Sequence, residues 1–159
     1  MAYDKRNFLK VVSAAATGSL LSGRSSAQVT SSVDALLTAN RVFDEALSRL
    51  DIAALSAMSL REPHVFAIHP GAREITFGHE AVGKSWQSVA DRFSELSVVL
   101  RDPRAVMRDG VGWVTGTETV TGKRKTGEAV SYSALTTNIF ELRDGRWLLS
   151  AHLTSRITP

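Results

Sequence analysis

Apolar positions change their spacing part-way along this chain. Val33, Leu36, Leu37, Phe43, Leu47 and Leu50 recur at helical intervals behind Ser31, which reads as a capping box with Asp34, so residues 32–50 are expected to form an amphipathic helix. Asp51 then caps a second, short helix over Ile52–Ser59, and Pro63 closes that unit. His64–His69 alternates as a strand before Pro70-Gly71 turns the chain, and a brief extended piece, Glu74–Phe77, leads through Gly78 into a third helix over His79–Phe93. Beyond this point the spacing is that of strands: Leu96–Arg108, Val111–Thr121, Ala129–Leu142 and Arg146–Ile157. Pro103 lacks the donor that a ladder needs and is expected to bend or bulge its strand.

The last two strands flank Arg143-Asp144-Gly145-Arg146, and Asp-Gly supplies the positive φ of a tight hairpin turn. Pairing outward from that turn sets Leu142 opposite Trp147, Phe140 opposite Leu149 and Asn138 opposite Ala151. The inner face then carries Tyr132, Ala134, Thr136, Asn138 and Phe140, with Asn138 a polar group that needs a reason. The same parity puts His152 opposite Thr137 on the outer face, beside Ser150 and Thr154. Ser131, Ser133, Leu135, Thr137 and Ile139 give that outer face small, β-branched and apolar groups without charge, which suits a homodimer interface between sheets. The register of the strand carrying Trp113 is left open. Helices first and long antiparallel strands afterwards make an α+β domain, with helices packed on one face of a curved sheet.

The 159 residues suffice for one domain with a real core, and 43 % hydrophobic with 22 % charged residues is ordinary for a folded chain. The net charge of +3 belongs to the N-terminus: Lys5, Arg6, Lys10 and Arg24 stand there against Asp4 alone, so the rest of the chain balances to zero. Lys123-Arg124-Lys125 reads as a solvated hairpin tip, and nucleic acid is not an expected partner. The absence of cysteine excludes disulfides, thiolate nucleophiles and Cys-ligated metals.

Residues 1–27 read as an export signal, with a basic start, the small apolar run Val11–Leu21, and Ser25-Ser26-Ala27 placing small residues before a cleavage point at Gln28. The segment Asp4–Lys10 resembles a twin-arginine translocation signal with Lys5 in the place of the first arginine; an ordinary secretory signal or an amphipathic N-terminal helix is the alternative. The apolar run is too short to span a bilayer stably. The expectation is a periplasmic or otherwise exported domain over residues 28–159, with no stable membrane insertion once the signal is removed.

Phe43–Leu55, Ile68-His69-Pro70-Gly71, Gly78-His79-Glu80-Ala81-Val82 with Trp86, and the closing Asn138–Trp147 occur in an order that resembles the nuclear transport factor 2-like superfamily. The likeness is to its SnoaL-like and ketosteroid-isomerase-like branch. It implies a cystatin-like cone in which three N-terminal helices pack on a curved, mixed, mostly antiparallel sheet around a conical pocket, usually in a homodimer. Ketosteroid isomerases place a general-base carboxylate just before the proline ending the first strand, and that position is His69 here. Their protonated carboxyl on the penultimate strand corresponds to Asn138, and their tyrosine hydroxyl to Phe43. The resemblance therefore implies a possible base and a possible amide donor, without the phenol and without either carboxyl.

Two functions follow as expectations. One is binding of a small, largely apolar molecule, with no activity assigned. The other is a cofactor-independent isomerase, cyclase or dehydratase with His69 as general base and Asn138 as oxyanion donor. Phe43, Phe66, Trp86, Tyr132, Thr136 and Phe140 are the candidate ligand contacts, and no acidic residue is expected in the pocket. Arg73 reads as a solvated loop residue. His64, His69, His79 and Glu80 match no compact ligand spacing, so neither a metal site nor a cofactor is expected.

Overall fold

The computed structural model describes residues 32–158, so the export signal, the cleavage point at Gln28 and the Ser31 cap lie outside the described residues. Helix α1 (Val33–Ser48) is capped by Ser32, whose hydroxyl accepts from the Ala35 amide at 3.0 Å, with Asp34 in the first turn complementing the helix dipole. Leu36, Asn40, Phe43, Asp44 and Leu47 form its buried face. Leu50, with φ at 54°, breaks the helix, and Asp51 caps α2 (Ile52–Met58) by accepting from Ala54 at 2.9 Å. Short strands β1 (Phe66–Ile68) and β2 (Thr76–Phe77) precede α3 (His79–Arg92). Four long strands complete the chain: β3 (Phe93–Arg108), β4 (Val111–Arg124), β5 (Ala129–Arg143) and β6 (Arg146–Arg156).

The strands form one sheet in the order β2-β1-β6-β5-β4-β3, with β1 parallel to β6 and every other pair antiparallel. This is the expected α+β arrangement: three helices packed on a mixed, mostly antiparallel sheet. The core lies between them, where Leu36, Phe43, Leu55, Val114, Phe140 and Leu149 are almost fully buried. Gly112 leaves room for the Leu36 side chain of α1 on the sheet, because a Cβ there would lie 2.5 Å from a Leu36 methyl. The pairing of β3 with β4 shifts between Arg101 and Arg104, where Asp102 takes a positive φ before Pro103, as the proline led one to expect. At the last hairpin Asp144 and Gly145 both have positive φ, which matches the strand twist.

One register expectation is corrected. Leu142 faces Trp147 and Phe140 faces Leu149, but Ile139 faces Ala151 and Asn138 faces His152. Ser150 is an extra residue on β6, and its hydroxyl lies 3.3 Å from the Ile139 carbonyl. The bulge inverts the parity of everything after it. His152 and Thr154 therefore face the helices, not the outside, and both are buried.

Candidate functional site

His152 stands at the end of a buried chain of polar side chains. Asn40 Nδ2 donates to Asp44 Oδ2 at 2.9 Å, Asn138 Nδ2 donates to Asn40 Oδ1 at 2.8 Å, and His152 Nδ1 lies 2.7 Å from Asn138 Oδ1. With Asn40 donating to the Asp44 carboxyl oxygen, its Oδ1 faces Asn138, and the Asn138 amide in turn presents Oδ1 to His152. Oδ1 of Asn138 can only accept, so His152 carries its proton on Nδ1 and has an unprotonated Nε2. All four residues are at most 7 % exposed, which leaves water little access to the chain.

His69, two residues beyond the inward-facing Ala67, approaches from the strand side of α3. Its Nε2 lies 2.8 Å from Ser85 Oγ, and Ser85 in turn donates to the Val82 carbonyl at 2.7 Å. Since the Ser85 hydrogen is committed, His69 must donate from Nε2, leaving Nδ1 as its lone pair. Trp86 meets His69 edge-on at 4.5 Å and His152 at a tilt at 5.0 Å between ring centroids, and the two imidazoles are 6.0 Å apart. Phe43 closes the rear of this aromatic box at 5.7 Å from Trp86 and 5.4 Å from His152.

Both histidines line one cavity of about 140 Å³, roughly ten times the room a single water needs. Leu47, Val89, Phe93, Leu96, Val98 and Val120 supply its apolar wall, while Glu118, Tyr132 and three arginines (Arg92, Arg124 and Arg156) supply further polar groups. Burial, then the nearby Arg92 charge, lowers the His69 pKa to about 4. Burial, then His69 itself, lowers that of His152 to about 3, so both rings are neutral at pH 7. Glu118 moves the other way: burial raises it to about 7, with the Thr136 hydroxyl opposing. Asp44 is raised to about 8 by burial, then by Glu118, then by Glu45.

Of the residues singled out from the sequence, His69, Trp86 and Tyr132 line the cavity. Asn138 does not. It is fully buried outside the lining, with its amide bonded to Asn40 and His152, so it positions His152 and does not reach a ligand in the cavity. Phe43 stands behind the lining, in contact with Trp86 and His152. Phe140 is core opposite Leu149, and Thr136 is buried beside Glu118. Phe66 pairs with Ala151, so its neighbour Ala67 takes the inner face opposite His152 and the Phe66 ring packs on Phe77 instead, at 5.7 Å. Arg73 is exposed and outside the lining. His64 pairs with Glu141, and His79 bonds the Leu60 carbonyl, tying the start of α3 to the end of α2.

Two lining residues contradict the sequence reading. Strand parity alone puts His152 on the outer face, and no acid is expected in the pocket, whereas His152 and Glu118 both line it. Glu118 could have been found, since it shares parity with Val114 and Val120 on a strand whose inner face is otherwise apolar.

A SnoaL-like domain profile matches residues 36–159. The chain belongs to the SnoaL-like domain family. Solved structures agree on the fold. A protein of the nuclear transport factor 2-like family from Streptomyces avermitilis, provisionally assigned as a dehydratase, superposes with a TM-score of 0.72 at 23 % identity, covering 80 % of this chain and 97 % of that one. A nuclear transport factor 2-like superfamily protein from Salmonella enterica gives a TM-score of 0.73 at 10 % identity over 83 % and 94 % of the two chains. A ketosteroid isomerase-like protein from Erwinia carotovora gives 0.67 at 17 % identity over 80 % and 97 %. No curated protein matches in sequence. At these identities the SnoaL-like domain shares its fold with the three proteins, and its chemistry must be argued from its own cavity.

Proposed function

We propose that this SnoaL-like protein binds a small organic molecule in the cavity and moves a proton on it, with side chains alone. The observation that carries the reading is the pair of neutral imidazoles, His69 and His152, each with one nitrogen tied to protein and the other unoccupied, lining one cavity with Glu118. Two lone pairs make poor oxyanion donors, and Asn138 lies outside the lining, so the expected pairing of a histidine base with an Asn138 donor for an enolate, as in ketosteroid isomerisation, finds little support. Elimination of water from a β-hydroxy carbonyl compound suits the groups better. His69 Nδ1 removes the proton from carbon, the electron pair forms the new double bond, and Glu118 in its protonated form delivers a proton to the departing hydroxyl, which leaves as water. The provisional dehydratase assignment of the Streptomyces relative is in keeping with this.

The test is incubation of the full chain with a panel of β-hydroxy ketones and β-hydroxy acids, following loss of water by mass spectrometry. Turnover abolished by His69→Gln supports the reading. Tight stoichiometric binding without turnover, unaffected by His69→Gln, would make the domain a carrier.

Two further readings belong to the proposal. The protein is exported, on the basic start and the small residues before Gln28 in residues 1–27. It forms a homodimer through the outer sheet face, where Leu135 is 60 % exposed and Val99 and Val106 are also uncovered. Among the described residues no helix is long and apolar enough to cross a membrane.

A further inference from the structure

Three guanidinium groups converge on the cavity from the ends of three different elements: Arg92 closes α3, Arg124 closes β4 and Arg156 closes β6. Arg124 has a carboxylate partner in Glu128 at 3.0 Å and lies 5.4 Å over the Phe93 ring. The other two have no carboxylate partner among the described residues. The Arg92 Nε donates to its own helix at the Ser88 carbonyl, 3.0 Å away. Arg156 lies over the Tyr132 ring, its Cζ 4.1 Å from the ring centroid, a cation–π contact that leaves its N–H groups without a carboxylate partner. Glu118 is the one carboxylate in the lining, and it sits among apolar groups at 2 % exposure. Both imidazoles beside it have donors committed to the protein and lone pairs to spare, so neither would serve an anion.

The lining thus carries three guanidinium groups against one carboxyl. Glu118 is the single carboxyl against them and forms no ion pair with either Arg92 or Arg156 among the described residues. We propose that the ligand is a small organic acid, its carboxylate held by Arg92 and Arg156 and its uncharged end reaching His69 and His152. The inference rests on the cavity being a ligand site and adds the class of ligand. It also orients the molecule: a β-hydroxy acid held in this way would present its carbon–hydrogen and hydroxyl groups to the imidazoles and Glu118.

The test is isothermal titration calorimetry of the full chain with matched pairs of carboxylates and their carboxamides: benzoate with benzamide, phenylacetate with phenylacetamide, and 3-hydroxybutyrate with 3-hydroxybutyramide. The carboxylates are expected to bind at least about tenfold more tightly than the amides, as a charged hydrogen bond to an arginine should give. That ratio should fall toward one in Arg92→Gln and Arg156→Gln, and should shrink in high salt. Both arginines are exposed, so neither variant threatens the fold. Equal binding of acids and amides would overturn the anion assignment and leave the cavity reading standing. An acid preference unchanged in both variants would place the anion elsewhere and overturn it as well. If neither set binds, the cavity reading itself falls and the assignment with it.

Discussion

His152 Nδ1 and Asn138 Oδ1 meet at 2.7 Å across the β5–β6 pair, and this contact fixes the tautomer in which His152 faces the cavity. It exists because Ser150 bulges and rotates His152 inward. Replacing Asn138 by Asp would set a carboxylate against the imidazole and favour its charged form. His152, held at about 3 in the native chain, should then titrate markedly higher, as histidine ring NMR would show. Asn138→Leu instead leaves His152 Nδ1–H and the Asn40 carbonyl buried without partners. It should lower the free energy of urea unfolding by about 2–5 kcal/mol.

If His69 acts as base and Glu118 as acid, kcat/KM for a dehydrated substrate should be bell-shaped. The rate needs His69 unprotonated, above about 4, and Glu118 protonated, below about 7. Glu118→Gln should abolish the alkaline limb while depressing the rate by about a hundredfold or more. A profile with its alkaline limb intact in that variant would assign the acid to another group.

Stability should respond to pH from both sides. Asp44 rises from 3.8 to about 8 and Glu118 from 4.5 to about 7 on folding, so the folded state holds protons the unfolded chain has released. Their contribution is lost as pH rises through those windows. His69 and His152 fall from 6.5 to about 4 and about 3, so the unfolded chain binds more protons there and stability is lost as pH falls below 6.5. The opposing terms overlap between about pH 4.5 and 6.5, and the four groups together favour a maximum in that range. In Asp44→Asn the alkaline loss should be smaller than in the native chain when melting temperature is followed upward from pH 6.

Phe43 carries the back wall of the aromatic box at 1 % exposure. Phe43→Ala should cost about 3–5 kcal/mol in denaturant unfolding. The loss should also free Trp86 and His152 to reorient, weakening ligand binding beyond what stability alone explains.

Much of the fold was legible from spacing. The helical repeat of Leu36, Phe43 and Leu47, the Asp51 cap, the Asp144-Gly145 turn and the Pro103 irregularity each act within a few residues, and each appears where the sequence put it. His69 was readable as a pocket residue through the resemblance to ketosteroid isomerases, and both it and Trp86 lie in the lining. His152 was not readable. Trp147, Leu149, Ala151 and Leu153 continue an unbroken apolar alternation through β6, so nothing local marks Ser150 as the inserted residue, and the bulge only becomes visible through pairing with Ile139. Asn138 was correctly read as a buried amide needing partners. Those partners, Asn40 and His152, lie 98 residues before it and 14 after it, beyond the reach of any local pattern.

The measurement that bears most directly on the account is ¹⁵N NMR of the histidine rings of the full chain, recorded from pH 8 down to pH 3. His152 is expected as the Nδ1–H tautomer with a pKa of about 3, and His69 as the Nε2–H tautomer with a pKa of about 4. A His152 ring that titrates at the ordinary value of 6.5 in exchange with solvent would put it on the outer face, remove it from the cavity and contradict the site described above.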